Sequence, residues 1–146
     1  MKLNQLSVFL ENKPGALSAP CRLLAQAGIN IQTFALADAQ QFGILRVMVH
    51  DWAKAREILE KQGYVVKITE VVALEVPDHP GGLAELLEIV ERARVNVEYM
   101  YAFTVKQEGR GLLAFRFSDP DAAIAALQAQ KVNVVGTLEL VKRLGD

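Results

Sequence analysis

The chain has 146 residues, of which 51% are hydrophobic, so it is long and apolar enough to fold as one domain or as two small ones. Its formal net charge of −1, with no block of like charge, disfavours nucleic acids and anionic membranes as partners, because both prefer basic surfaces. The single cysteine, Cys21, excludes an intrachain disulfide and a cysteine-ligated metal cluster.

The first ten residues, MKLNQLSVFL, are too few and too alternating in polarity for a signal peptide, and no apolar run reaches the length of a transmembrane helix. The two histidines, His50 and His79, lie in unrelated settings without the spacing of metal ligands. We therefore expect a soluble, cytoplasmic protein that has no metal or other cofactor.

The first half of the chain alternates apolar runs of strand type with stretches of helical spacing. One such stretch follows the step Pro14-Gly15, carries Leu17 on its apolar face and stops at Gly28, and Asp51 is a suitable N-cap for a second helix. In chain order the predicted elements are strand, helix, strand, strand, helix and strand, over residues 6–10, 17–28, 29–37, 43–49, 52–62 and 65–68.

Pro20 conflicts with the first of these helices. A proline inside a helix removes an N–H donor and clashes with the preceding turn, and the equivalent residue in the second half of the chain is Leu86. Either this helix begins later than its counterpart or it is kinked.

The second half repeats the same order at an interval of 66 residues, as from Pro14 to Pro80. Asp119-Pro120 is a strong helix start, because Asp suits the N-cap and Pro the first helical position. The run KITEVVALEV joins the halves without a flexible linker, so we expect them to pack rigidly together. The predicted elements are a strand at residues 71–76, a helical stripe at 83–90, strands at 96–105 and 111–117, a helix that begins at residue 120, and a strand at 132–144.

Two short stretches, ENKPGAL at residues 11–17 and PDHPGGL at residues 77–83, carry a family resemblance. Each places an [Asn/Asp]-x-Pro-Gly-x-Leu step between a strand and a helix, and each helix is followed by GINI or RVNV entering the next strand. This combination resembles the ACT domain, a small amino-acid-sensing module with the ferredoxin-like βαββαβ fold. The resemblance implies an α+β protein of two tandem modules, residues 1–70 and 71–146, each with an antiparallel sheet and helices on one face.

In the resembling family, ligands sit between the Pro-Gly loop of one module and a neighbouring module, often near the Asn that opens the second strand. The resemblance therefore implies a non-catalytic regulatory protein that binds a free amino acid and acts on a regulated metabolic enzyme. Exposed sheet edges and the apolar composition further predict a homodimer or a larger symmetric assembly. The residues predicted to bind the ligand are Asn12, Pro14, Gly15, Ala16, Leu17, Asn30, Asp78, Pro80, Gly81, Gly82, Leu83, Asn96, Tyr99 and Tyr101.

Physical chemistry favours the same use of the loops. Residues 15–17 and 81–83 place backbone N–H groups at a helix start, where a carboxylate is stabilised. Asn12 and Asp78 offer oxygens that can accept hydrogen bonds from an ammonium group. The alternative interpretation is that Pro-Gly only makes a tight turn and that Asn12 and Asp78 only cap the helices.

Tyr99, Tyr101 and Phe103 alternate along one predicted strand and so share a face. Phe103 is predicted to pack in the protein, whereas the two tyrosines are predicted to lie beside the ligand, since each offers an apolar body and a polar tip. Leu10 and Val76 stand where some relatives carry a polar residue such as His. These residues argue against recognition of serine and favour an amino acid with a large side chain.

We expect the second loop to bind more strongly than the first. Asp78 carries a full charge where Asn12 has a neutral amide, and a charge-assisted hydrogen bond to ammonium is the stronger. Gly82 replaces Ala16 and is expected to open the backbone further, and the two tyrosines add contact surface that the first half lacks. Arg94 in place of Gly28 also makes the two halves non-equivalent.

Three other functions are alternatives to amino-acid binding. RGLLAFRF at residues 110–117 superficially resembles an RNA-stacking strand, but its stacking positions, Leu112 and Ala114, are not aromatic. Acylphosphatases bind an anion in the equivalent loop, but residues 12–17 and 78–83 contain no arginine for that chemistry. The third alternative is a ligand-free interaction module that docks on a metabolic enzyme.

Overall fold

The computed structural model of the chain describes residues 1–38 and 40–145, without the side chains of residues 38 and 105–107. Ala39, in the predicted hairpin link, and Asp146 lie outside the described residues. The elements are β1 (Leu3–Glu11), α1 (Ser18–Gln26), β2 (Ile31–Asp38), β3 (Phe42–Val49), α2 (Trp52–Lys61), β4 (Val66–Pro77), α3 (Gly82–Arg92), β5 (Val97–Gln107), β6 (Arg110–Phe117), α4 (Pro120–Ala129), β7 (Val134–Val135) and α5 (Thr137–Leu144).

The chain forms two compact units, which we call the first module (residues 4–69) and the second module (residues 70–145 with residues 1–3). The strand order is β2-β3-β1-β4 in the first module and β5-β6-β4-β7 in the second. The βαββαβ order therefore occurs twice, and the predicted α+β fold of tandem ferredoxin-like modules is confirmed. A single 12-residue strand, β4, runs from the first module into the second, and the rigid packing of the modules stays a prediction.

Alternating apolar residues build one core in each module. In the first, Leu6, Val8 and Leu10 of β1 point to the same side as Leu45 and Val47 of β3, and α1 and α2 cover them. The second module repeats this arrangement with residues of β4, β6, α3 and α4, namely Val72, Leu74, Val76, Phe115, Phe117, Leu86, Val90, Ala123 and Leu127. Each core therefore buries one face of its sheet under two helices.

The helix ends follow one scheme in both modules. Asp51 and Asp119 cap α2 and α4 by accepting hydrogen bonds from the Lys54 and Ala122 amides, each 3.1 Å long, as predicted. The second residue after each of the four core helices has a left-handed backbone, and the amide that comes next bonds to a carbonyl five residues back. The left-handed residues are Gly28, Gly63, Arg94 and Lys131, with φ of 71°, 87°, 58° and 59°.

The first helix begins late, which was one of the two alternatives raised by Pro20. α1 starts at Ser18, whereas the residue equivalent to Ala16, Gly82, already begins α3. Pro20 is then the third residue of α1. The Ala19 amide bonds to the Gly15 carbonyl at 3.2 Å, but Pro20 has no N–H for the next such bond, to Ala16, so the regular helix begins only after that step.

The predicted final strand over residues 132–144 is wrong. Only Val134 and Val135 pair with β4, and after Gly136 the chain forms α5. Leu140 is buried on one side of this helix, while Glu139 and Arg143 pair one turn apart on its surface. This 3.6-residue pattern was present in the sequence TLELVKRL and outweighs its strand-like apolar content. None of the described helices has the length and apolar character that crossing a bilayer requires.

Candidate functional site

The two Pro-Gly loops adopt the same backbone conformation. Gly15 and Gly81 have φ of 85° and 90°, in the left-handed region that side chains disfavour. A Cβ atom built on either glycine would meet nothing within 4 Å, so the requirement for glycine at these positions is conformational and not steric.

Each loop uses one amide to close its turn and leaves others unpaired. The Ala16 amide donates to the Lys13 carbonyl at 3.2 Å and the Gly82 amide to the His79 carbonyl at 3.0 Å. Contrary to the expectation from the sequence, these two amides are therefore not available to a ligand. Among the described residues no acceptor is found for the amides of residues 17 and 18 or of residues 83 and 84. These unpaired donors at a helix start favour a carboxylate or another anion.

Asn12 and Asp78 do not stand at the N-cap positions of the two helices, which are Leu17 and Gly81. Neither α1 nor α3 has a side-chain cap. Instead the backbone amides of Asn12 and Asp78 donate to the carbonyls of Gln41 and Gly109, both at 2.9 Å, which ties each loop to the hairpin turn beside it. Both side chains are exposed, and their contact with an ammonium group stays a prediction.

Gly82 has a packing role. It is buried, and a Cβ at this position would lie 2.1 Å from the carbonyl oxygen of Pro77. The backbone of β4 thus fills the space next to its Cα, so the expectation that Gly82 opens the backbone is wrong.

A cavity adjoins the Pro-Gly loop in each module. The cavity of the first module has a volume of about 410 Å³ and is lined by Phe9, Leu10, Glu11, Lys13, Pro14, Gly15, Ala16, Ala19 and Tyr64. The cavity of the second module has a volume of about 280 Å³ and is lined by Glu75, Pro77, Gly82, Glu85, Leu86, Ile89, Arg110, Gln130, Lys131, Val132 and Asn133.

The two cavities occupy equivalent places but differ in chemistry. Both lie between the end of a module's first strand, the start of its first helix and the segment before its last strand. At equivalent positions Phe9 and Ala19 in the first module become Glu75 and Glu85 in the second. The charged residues on the wall of the first cavity, Glu11 and Lys13, pair with each other at 2.8 Å.

Glu75 is the centre of an ion cluster on the wall of the second cavity. Its side chain is only 10% exposed and bonds with Arg110 at 2.9 Å and with Arg143 of α5, which also pairs with Glu139. Burial by itself raises the pKa of Glu75. Hydrogen bonds from Arg143, Arg110 and Asn133, together with the charge of Arg143, outweigh burial and hold the pKa below its ordinary value.

Comparison of the chain with known proteins identifies its family. The sequence matches the ACT domain pair family over residues 1–144. The chain belongs to that family. The resemblance on which the sequence analysis relied is thereby confirmed.

This ACT domain pair is similar to a crystal structure of a Bacteroides thetaiotaomicron protein, with a TM-score of 0.90, 37% identity and 97% of each chain covered. It also shares its fold with the ligand-free regulatory subunit of aspartate kinase from Thermus thermophilus. There the TM-score is 0.64 and the identity 18%, covering 86% of this chain and 91% of that one.

A curated relative is the acetolactate synthase small subunit of Buchnera aphidicola subsp. Baizongia pistaciae. It is 32% identical over 77 residues, which cover 49% of this ACT domain pair and 48% of that protein. The chain therefore spans about half the length of the curated relative that it matches.

The remaining predicted site residues of the ACT domain pair are spread over both modules. Asn30 and Asn96 are exposed at the starts of β2 and β5, and the Asn96 amide bonds to the Ser118 hydroxyl at 3.1 Å. Tyr99 and Tyr101 are half-buried on β5, where they pair with Arg116 and Ala114 of β6. None of these residues, nor Leu17 or Leu83, lines either cavity. Pro14, Gly15, Ala16 and Gly82 do.

The sequence analysis missed the charged residues of the second cavity, Glu75, Glu85, Arg110 and Lys131. A signal for them was available, since aligning the two halves places each opposite an apolar or small residue of the first half. The described residues contain no group of three or more His, Cys, Asp or Glu side chains that could hold a metal ion.

Proposed function

We propose that this ACT domain pair is a non-catalytic regulatory protein that binds a free amino acid beside its Pro-Gly loops. The observation that carries the proposal is that both loops share one glycine-dependent conformation, open a helix with unpaired amides and adjoin a cavity. An amino acid carries a carboxylate, which suits amide donors, and an ammonium, which suits carboxylates such as those on the wall of the second cavity.

We further propose that the protein acts on a metabolic enzyme in the cytoplasm. The Buchnera relative is a small subunit of acetolactate synthase, and the fold is shared with a regulatory subunit of aspartate kinase. Both are subunits of enzymes, which supports a regulatory role for this chain. Co-purification with an enzyme of amino-acid metabolism, dependent on the added amino acid, is the expected result.

The same protein is proposed to form a homodimer. Phe34 and Leu36 of β2 are 61% and 52% exposed, and β2 pairs only with β3 among the described strands. An open sheet edge with exposed apolar side chains favours pairing with a second copy. Light scattering should give twice 16.1 kDa, and Phe34→Lys should shift the protein to monomer, whereas the control Leu138→Lys on α5 should not. A monomer at all working concentrations contradicts the proposal.

The test of amino-acid binding is a calorimetric screen of all twenty amino acids. At least one should bind and raise the melting temperature, because a ligand that binds only the folded state stabilises it by mass action. Asn12→Ala and Asp78→Ala, each checked for an unchanged melting temperature without ligand, then compare the two loops. If none of the twenty binds, the sensor function is wrong.

One observation favours a second candidate, a ligand-free module that docks on an enzyme. Phe9 and Phe42 of the first module are 44% and 57% exposed, although large aromatic side chains bury most of their surface in a typical core. Under this alternative, no amino acid binds and Phe9→Ser abolishes co-purification with the enzyme.

A further inference from the structure

We infer that an apolar patch on the first module, formed by Phe9, Phe42 and Val65, binds an amphipathic helix of a partner protein. The partner is the metabolic enzyme of the proposed function. The inference therefore rests on that function and deepens it by naming the surface and the kind of segment that it binds. The duplication of the fold carries the argument, because in the second module a helix already occupies the equivalent place.

The three side chains of the apolar patch are neighbours. Phe9 pairs with Ile44 across β1 and β3, and Phe42 stands two residues before Ile44, so the two phenylalanines are diagonal neighbours. Both lie on the face of the sheet opposite the core, because core residues alternate with them along β1. The Phe9 amide donates to the Val65 carbonyl at 3.2 Å, which places Val65 on the other side of β1 from β3.

The apolar patch is exposed. Phe9, Phe42 and Val65 are 44%, 57% and 66% exposed, and apolar side chains that cluster on a surface mark a contact with another macromolecule. The charge next to Phe42 in the ladder, that of Glu11, is neutralised by Lys13 at 2.8 Å. The patch therefore favours an apolar partner surface over a charged ligand.

The second module has three polar residues at the equivalent positions. The pairing of the strands and the hydrogen bond from the first strand align the modules, since the Glu75 amide donates to the Asn133 carbonyl at 3.3 Å just as in the first module. In the order used above for the apolar patch, the equivalent residues are Glu75, Arg110 and Asn133.

These polar residues hold a helix of the chain itself. The Glu75 side chain pairs with Arg143 of α5, and the Asn133 side chain donates to Glu139 of the same helix at 3.5 Å. Leu140 of α5 is only 3% exposed, so the helix buries an apolar side chain as well. This place in the fold is therefore suited to a short amphipathic helix.

The exchange of polar for apolar residues indicates what the first module binds there. An apolar patch cannot form the ionic contacts that hold α5, so the helix on it has to present apolar side chains. After β7 the chain turns into α5, whereas after Val65 it continues directly as β4. The helix on the first module therefore comes from another molecule.

A second copy of the chain is assigned to a different surface. The proposed homodimer uses the edge of β2 with Phe34, which pairs with the core residue Val47 and so lies on the face that the helices cover. The apolar patch lies on the opposite face. A dimer made through β2 therefore leaves the patch available to the enzyme.

The first experiment uses a synthetic probe, a peptide of leucine and lysine of about 18 residues, with leucines spaced three and four residues apart to give a helix with one apolar face. Fluorescence anisotropy should show that it binds the full chain. Phe42→Ser and Val65→Asn should each weaken binding about tenfold, the usual effect of losing one buried apolar side chain.

Two controls make this result specific. Phe34→Ser changes an exposed phenylalanine of the same module outside the patch, so it should leave the affinity unchanged. A peptide of the same composition with strictly alternating leucine and lysine has no apolar helix face and should bind at least about tenfold more weakly. Val65→Asn introduces the residue of the second module, so an unchanged melting temperature is expected. If the peptide does not bind, or binds every variant equally, the inference is wrong.

The second experiment uses the enzyme that co-purifies with the protein. Phe42→Ser and Val65→Asn should each reduce its recovery about tenfold. Neither residue lines a cavity, so calorimetry should show unchanged binding of the amino acid. If both variants recover the enzyme as well as the unsubstituted protein does, the inference is wrong and the proposed function survives. If no enzyme co-purifies with the unsubstituted protein, both are wrong.

The third experiment tests a second copy as the occupant of the patch. Light scattering should give the same mass for Phe42→Ser, Val65→Asn and the unsubstituted protein, because the dimer contact lies elsewhere. A lower mass for either variant would show that the patch binds another copy of this chain, which contradicts the inference.

Discussion

Near the end of β1 the first module carries Phe9, and Phe42 opens the neighbouring strand β3, whereas the second module has Glu75 and Arg110 at the equivalent places on β4 and β6. The two phenylalanines are largely exposed, whereas Glu75 is nearly buried in an ion cluster. The strand order around this position, the Pro-Gly turn and the left-handed residue that follows each core helix recur in both modules. The backbone therefore accepts either chemistry at this position.

The difference arises from the segment that comes after each module in the chain. After the first module the chain continues along β4, but after β7 it turns into α5, which brings Arg143 to Glu75. A carboxylate at that position is stabilised because α5 supplies a second guanidinium group. The comparison teaches that two copies of one fold acquire different sites when different segments of the chain pack beside them.

The largest expected difference between the modules concerns the residue after the Pro-Gly step. Gly82→Ala should destabilise the second module by about 3 kcal/mol, because the added Cβ lies 2.1 Å from the backbone oxygen of Pro77, which cannot move as a side chain can. Scanning calorimetry would show the loss as a lower melting temperature.

The matched change in the first module is Ala16→Gly, at the equivalent position. It should cost less than about 1 kcal/mol, since it only adds freedom to the unfolded chain. Equal effects of the two changes would show that the early start of α3 does not depend on close contact with β4.

The second prediction removes the charge of the cluster. Glu75→Gln should destabilise the protein by about 2 kcal/mol, because Arg143 and Arg110 then lose a partner that is only 10% exposed. Glu88→Gln, an exposed glutamate, is the control and should change stability little. Urea unfolding measures both. A neutral effect of Glu75→Gln would mean that the cluster does not hold α5 in place.

The third prediction concerns pH. The pKa of Glu75 is held below its ordinary value of 4.5, so the folded state favours the ionised form. Its contribution to stability is complete above that ordinary value and is lost as the pH falls through the lower pKa of the folded state. Unfolding measured between pH 7 and pH 3 should therefore lose less stability in Glu75→Gln than in the unsubstituted protein. Parallel curves would contradict the assigned pairing.

The smallest expected effect concerns the helix ends. Arg94 and Gly28 hold the same left-handed position after α3 and α1. Arg94→Gly should stabilise the second module by up to about 1 kcal/mol, and Gly28→Ala should destabilise the first by about 1 kcal/mol, because a side chain disfavours positive φ. Melting temperatures that move in the same direction would disprove the equivalence of the two helix ends.

Much of the fold could be predicted because the signals are local and occur twice. Asp51 and Asp119 each precede a helical stripe, and each Pro-Gly step comes after an apolar strand, so agreement between the halves reinforced weak patterns. Pro20 indicated that α1 either begins late or is kinked, and the structure has the late start. The same method failed at residues 137–144, because the expectation of a sixth element as a strand was extended past Gly136 into a helical pattern.

The candidate site was predicted less well, because it depends on residues far apart in sequence. Glu75, Glu85, Arg110 and Lys131 look like ordinary surface charges until the fold brings four separate elements to one cavity. Gly82 looked like an opening for a ligand until the fold placed the carbonyl of Pro77 against it. Close contacts of this kind are set by packing between elements, which local patterns do not encode.

By itself, then, the sequence determined the duplicated βαββαβ order, the glycine-dependent loops and the ACT resemblance, since turn residues, caps and apolar periodicity act over a few neighbouring positions. Only the tertiary structure decided which charges are compensated and which are left free, because charge pairing depends on distances across the fold. Arg143 lies 68 residues from Glu75 in the chain yet pairs with it directly. The chemistry of the second cavity depends on that pairing.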